Sequence, residues 1–309
     1  MLISPTPRYL LLCLLWLGCA AAGELRLEKD ETRETITIFR KGEADPILTQ
    51  HAGAEFRPYI HPIVAPDGEG ILTDFSPSHH KHQTGLYWGF TRLNGRDYFH
   101  HPEGDHWRRQ SFEVLVEEGE KVSWRTSYDL LDEDGVVVLV ETQRWEMQDR
   151  GNDYVLDLVW SGTAKQKVTI SRYDYGGLFL RMPWRKDIEA EALNSSEQRN
   201  QQAEGKRGIW LNVGMQVEGR DNLANITLFD HPKNGGYPQP WRVDRKFGVG
   251  PTRARLGDWH IAKDQTETIR HRVMVHTGEP DGPSLTEEWK DYTGKEYPIA
   301  LWQLAQQEG

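Results

Sequence analysis

Between Phe112 and Trp160 apolar and polar residues alternate along consecutive runs. A period of two is the mark of a strand with one face buried. Residues 112–117 alternate, Glu118-Gly119-Glu120 makes a turn, and Val122, Trp124, Thr126, Tyr128 and Leu130 then share one face. Residues 136–147 extend as a long strand, and Arg150-Gly151-Asn152-Asp153 turns the chain into residues 154–160. The pattern predicts long antiparallel strands in a meander. Residues 34–39, 168–172, 178–182, 209–217, 226–229 and 267–275 have the same texture, without the fixed period of a propeller or solenoid. The expected fold is all-β: a large two-sheet antiparallel β-sandwich, one domain over residues 23–309. Residues 189–206 are polar and predict an exposed loop with room for a little helix. Ser284-Leu-Thr-Glu287 matches a capping box and predicts one short C-terminal helix over residues 285–292.

Residues 1–22 follow another logic. Arg8 precedes an apolar run from Tyr9 to Leu17, and small residues end at Ala22, the order of a secretory signal peptide. Export to the periplasm or medium is expected, with lipoprotein anchoring at Cys19 as the alternative. Both cysteines, Cys13 and Cys19, lie in this leader, so the remaining chain is expected to lack disulfides and thiolate ligands. No later run is long and apolar enough for a helical membrane span. Acidic residues outnumber basic ones, 47 to 37, and a surface of that sign repels phosphate backbones, which argues against nucleic acid as a partner.

Seven of the 12 histidines fall within residues 55–109: His61, His79, His80, His82, His100, His101 and His106. Imidazoles at that density cost desolvation and mutual repulsion in a core, so they mark a site. Proline and serine in Ser76-Pro-Ser-His-His-Lys-His82 exclude a regular helix and put these rings on an irregular loop. Two readings stay open. In one, His79 and His82 carry acid–base chemistry, with His61, Asp105 and His106 shaping the site. In the other, His80 and His82 share a divalent metal with a third ligand such as His101. Arg57 is a candidate to hold a carboxylate or oxyanion, with Tyr59 and Trp88 beside it.

A second dense stretch, Leu228-Phe-Asp-His-Pro-Lys-Asn-Gly-Gly-Tyr-Pro-Gln-Pro-Trp241, places Asp230 and His231 before a loop carrying Tyr237 and Trp241. Flat aromatics beside Asp and His suit a pyranose ring, whose C–H face stacks while its hydroxyls bind polar groups. The expected partner is a small-molecule or oligosaccharide substrate.

Arg57-Pro-Tyr-Ile-His-Pro62, Asp74 to His82 with Gly85-Leu-Tyr-Trp-Gly89, and Phe229 to Trp241 together resemble the PmoA-like family, labelled as a methane oxygenase. Methane oxidation is not expected, because a monooxygenase subunit of that kind needs several long apolar helices. The resemblance implies a sandwich similar to the galactose-mutarotase group, and with it an exported carbohydrate-active lyase, epimerase or glycoside-cleaving protein. A non-catalytic carbohydrate-binding module and a metal-dependent oxidoreductase are the alternatives.

Overall fold

A computed structural model describes residues 23–296. The expected signal peptide, residues 1–22 with Cys13 and Cys19, lies outside them. Two antiparallel sheets face each other. The longer sheet has nine strands, in spatial order Trp241–Val243, Gly248–Pro251, Gly177–Arg181, Leu86–Gly89, Tyr59–Ile63, Pro46–His51, Thr35–Arg40, Leu25–Asp30 and Glu118–Gly119. The other has eight: Ala190–Asn194, Trp210–Met215, Ala224–Asp230, Thr266–Thr277, Tyr154–Ala164, Val137–Asp149, Lys121–Leu131 and Trp107–Val116.

The alternation in the sequence fixes which side chains fill the gap between the sheets. Val122, Trp124, Tyr128 and Leu130 are buried from one strand of the meander; Tyr154, Leu156, Leu158 and Trp160 are buried from another. Several polar groups in this interior are bonded to one another, which offsets their desolvation. Trp124 Nε1 donates to Gln50 Oε1 of the opposite sheet (3.1 Å), while Trp160 Nε1 and Gln143 Nε2 donate to the two oxygens of Glu141 (2.9 and 2.8 Å).

The helix spans Gly282–Thr293, three residues longer at its start than the capping box implies. Its N-cap is Asp281, Pro283 occupies the first turn where a missing N–H costs nothing, and Gly294 closes it in the left-handed conformation (φ 63°). Leu285 and Trp289 seal it onto Trp210 and Phe229, on the outer face of the eight-stranded sheet. Residues 189–206 are not simply an exposed loop. They supply the edge strand Ala190–Asn194 and a 3-10 turn at Asn200–Gln202, with Ser196 and Ala203 buried. Among the described residues no helix is long and apolar enough to cross a membrane.

Candidate functional site

The longer sheet has an unusual outer face. Along strand Leu86–Gly89, Trp88 turns inward and stacks on Trp160 (centroids 4.7 Å apart, planes 13°), while Tyr87 turns outward. Register places Tyr87 beside Tyr59 on one neighbouring strand and Phe179 on the other. Phe99 packs over Tyr87 and Phe179 (5.3 and 5.1 Å), forming an apolar cluster separate from the inter-sheet core.

The histidine loop lies against this cluster. A bridge between Phe75 and Thr84 closes its base, Ser76 N donates to Gln83 O (2.7 Å), and His80 N donates to Pro77 O (2.8 Å). Gly85 adopts φ +74°, and a Cβ there would fall 2.4 Å from the Ile60 carbonyl oxygen, so the chain leaves the loop through a position only glycine fits. Arg57 holds the loop from below. Its guanidinium donates to the carbonyls of His82 (2.7 Å) and Phe99 (2.6 Å) and lies 3.7 Å over the Tyr87 ring.

His80, His82, Gln83, Phe99, His100, Tyr175, Phe179, Arg242 and Asp244 line a small, open-mouthed cleft with a cavity volume of about 50 Å3. The His82 and His100 rings lie 4.4 Å apart. His100 Nδ1 meets Asp97 Oδ2 at 2.7 Å and its Nε2 meets the Tyr175 hydroxyl at 3.2 Å. With the Asp97 carboxylate as acceptor, Nδ1 carries the proton and Nε2 accepts from the Tyr175 O–H. Burial opposes ionisation of Asp97, but the His100 hydrogen bond and two backbone N–H groups outweigh it and hold the carboxyl below its ordinary value. Burial, then the neighbouring His100 and Arg57, push His82 down to about 3, so it is a neutral imidazole at physiological pH. Burial raises the Tyr175 phenol, which keeps its proton. Across the cleft Asp244 is bonded to Arg181 (2.7 Å) and to the N–H groups of Lys246 and Gly248. These outweigh its desolvation and keep it ionised. Arg181, wholly buried, also donates to Gln83 and fixes that amide in the wall.

The other expected site residues are distributed differently. His79 adjoins the cleft, its Nδ1 2.8 Å from that of His80. His61 and Tyr59 lie on the same outer face in a neighbouring aromatic group with His51 and Phe75; His61 Nδ1 bonds Thr73 Oγ1 (2.9 Å). Asp105 and His106 form a pair of their own (2.6 Å) with His101 stacked on His106 (5.0 Å, 9°), outside the cleft lining. The proposed metal set of His80, His82 and His101 is thereby divided, and among the described residues no group of three His, Cys, Asp or Glu is arranged to hold an ion. Arg57 is completely buried and its terminal nitrogens donate to backbone carbonyls and to Thr84 Oγ1, so it positions the loop and does not line the cleft. Trp88 and Trp241 are core residues, 2% and 0% exposed, and offer no face to a sugar; Trp241 Nε1 donates to Gly208 O (3.0 Å).

Asp230 is also buried. It binds the N–H groups of His231 and Gln239 and the Asn234 amide, organising its own loop. Tyr237 packs parallel to Trp289 of the helix (6.4 Å). His231 faces a different cleft from His80 and His82, so these histidines do not share one pocket. Tyr175, Arg242 and Asp244 escaped the sequence reading as site residues, and His100 was read only as one histidine of the cluster. Only Asp97-x-x-His100 offered a local signal, a carboxylate placed to bond an imidazole three residues on.

Fold and cleft together define a two-sheet antiparallel β-sandwich with an imidazole- and aromatic-lined cleft on the outer face of its longer sheet. The chain belongs to a family of unknown function, DUF6807, whose model matches residues 39–290. This corrects the resemblance to the PmoA-like family drawn from the motifs, and the oxygenase label falls with it. No curated protein matches the chain. Among solved structures it is similar to the GH36 α-galactosidase AgaB from Geobacillus stearothermophilus (TM-score 0.44, 10% identity, covering 82% of this chain and 41% of that one). It is also similar to galactose 1-epimerase from Lactobacillus acidophilus NCFM (0.41, 9%, 84% and 100%) and to the Slr1438 protein from Synechocystis sp. PCC 6803 (0.37, 8%, 91% and 100%). The chain thus spans about two fifths of the galactosidase's length. The likeness is one of sandwich arrangement and carries no argument about chemistry.

Proposed function

We propose that the cleft binds a sugar and moves a proton on it, as a carbohydrate lyase or epimerase does. The observation that supports this reading most is the hydrogen-bonded series Asp97–His100–Tyr175 ending at the cleft beside the neutral His82. A proton leaving a sugar hydroxyl or an acidified C–H passes to the Tyr175 oxygen as Tyr175 gives its own to His100 Nε2; Asp97 stabilises the imidazolium, and reversal returns the proton. In this scheme His100 replaces His79 and His82 as the proton-carrying imidazole. Kept neutral by burial, His82 accepts a hydrogen bond from a ligand hydroxyl. Asp244, Gln83 and Arg242 offer further polar contacts, while Phe99 and Phe179 offer apolar ring faces.

Glycoside cleavage fits less well. That chemistry ordinarily uses two carboxyl groups with one kept protonated, whereas the cleft lining has Asp244 alone and Arg181 holds it ionised. We assign the protein outside the cytoplasm on the leader order of residues 1–22, with anchoring at Cys19 as the alternative. Mass spectrometry of the product of export is the test: a chain starting near Gly23 is expected, and an intact Met1 overturns it.

The catalytic reading is tested with Tyr175→Phe, which removes one oxygen and keeps the ring. Turnover on a panel of aldoses, uronates and their glycosides is expected to fall by about 10²–10⁴-fold while sugar affinity changes little. Sugar binding with no turnover in the unmodified protein would assign a non-catalytic binding module instead.

A further inference from the structure

The cleft that His231 faces lies on the opposite side of the molecule, on the outer face of the eight-stranded sheet beside the C-terminal helix. It has a cavity volume of about 220 Å3 and is lined by Arg144, Glu146, Asp157, His231, Arg270 and Tyr292, with Leu158 and Val159 of strand Tyr154–Ala164. Register pairs Val159 with Arg144 on one side and with Arg270 on the other, so the two arginines flank one residue on the same face. Two strand spacings put their backbones about 9–10 Å apart, within the reach of two arginines closing on one group.

The charges here do not cancel within the fold. Asp157 is held bidentately by Arg272 (2.7 and 2.8 Å), and Glu146 pairs with Lys121 (3.1 Å). Among the described residues the Arg270 guanidinium has no hydrogen-bond or ion-pair partner, and Arg144 reaches only Glu146, at 3.9 Å. Two weakly engaged guanidiniums lining one concavity are uncommon on a chain with net charge −10. His231 Nδ1 accepts the Lys233 backbone N–H (3.0 Å), which leaves the ring proton on Nε2 as a donor. The ring packs edge-on against Tyr292 of the helix (5.3 Å, 76°).

We propose that this cleft is an oxyanion site, in which Arg144 and Arg270 take a carboxylate, sulfate or phosphate group from opposite sides with His231 as a neutral donor. It is independent of the sugar reading of the histidine cleft and stands if that reading fails. The charge environment agrees with it. Burial and then Arg270 and Lys233 lower the His231 pKa to about 4, opposed by Asp157, so the ring sits in a net positive field that an anion would relieve.

The test follows the His231 ring signals by NMR in the full chain, titrated at constant ionic strength with sodium sulfate, sodium phosphate and sodium glucuronate, with chloride as reference. Saturable shifts with at least one oxyanion are expected, together with a rise of the His231 pKa toward its ordinary value. The double variant Arg144→Gln/Arg270→Gln is expected to weaken that binding by about tenfold or more. The probe that binds most tightly identifies the chemical source of the oxyanion. Shifts equal to those with chloride, or binding that survives in the double variant with its melting temperature unchanged, overturn the proposal. His82→Ala leaves this titration unaltered, which separates it from the other cleft.

Discussion

Arg57 supports the histidine cleft without lining it. Burial lowers its pKa to about 10, still charged at neutral pH, and its planar fork spans the carbonyls of His82 and Phe99. Arg57→Met keeps the volume but strips both acceptors, at roughly 1–3 kcal/mol for each buried group left unpaired. Urea unfolding is expected to show that loss together with weakened sugar binding, because the loop that carries His82 is released. A second residue-scale prediction concerns His271, fully buried in the interior with its pKa lowered to about 4 by burial. Between that value and the unfolded 6.5 the unfolded chain binds the proton and the folded chain does not, so stability is lost as pH falls through this window. Its contribution at pH 5 is about 2 kcal/mol less than at pH 7. Glu141 and Asp230 act in the opposite direction, raised to about 7 and about 6 by burial, so His271→Gln is needed to isolate the term. The stability gap between wild type and His271→Gln is expected to narrow by about that amount from pH 7 to pH 5 in parallel melts; a constant gap would show that His271 does not titrate in this way.

Most long strands were legible in the sequence, buried on one face or on both, whereas the four-residue strand Leu86–Gly89 beneath the cleft was not. Residues 154–164 alternate because water reaches one side of their strand, while residues 121–131 alternate in residue type although nine of the eleven are buried. Strands Leu86–Gly89 and Gly177–Arg181 are buried at every position, since the aromatic cluster and its loops cover the second face; the second was still read from its apolar run as residues 178–182, and only the shorter first one was missed. The same covering concealed the site. Tyr175 enters just before strand Gly177–Arg181 and Asp244 lies on the turn after strand Trp241–Val243; both reach the histidines only through sheet neighbours far away in sequence. Histidine density pointed to the loop that lines the cleft, but it could not separate His100, in the cleft, from His101, one residue on and outside it. At this scale Gly85→Ala is the informative change. It forces a φ of +74° and a Cβ 2.4 Å from a backbone oxygen, so it is expected to lower the melting temperature and abolish sugar binding together. A stable variant with intact binding would mean that the loop does not depend on this exit.

The whole molecule is held by a core between its sheets and presents a separate concave feature on each outer face. Trp124 spans the gap, completely buried and bonded to Gln50 of the opposite sheet. Trp124→Ala is expected to cost about 3–5 kcal/mol by denaturant unfolding, because a cavity that size does not close and the Gln50 amide loses its donor. A cost near zero would contradict the sandwich core. The central claim is that the cleft of His82, His100, Tyr175 and Asp244 is where this chain meets a sugar, and calorimetric titration of a sugar panel into wild type and His100→Ala tests it most directly. Saturable binding or turnover is expected in the wild type and its loss in the variant, with melting temperatures within a few degrees because His100 is only partly buried. Sugar binding that persists unchanged in His100→Ala would contradict the account.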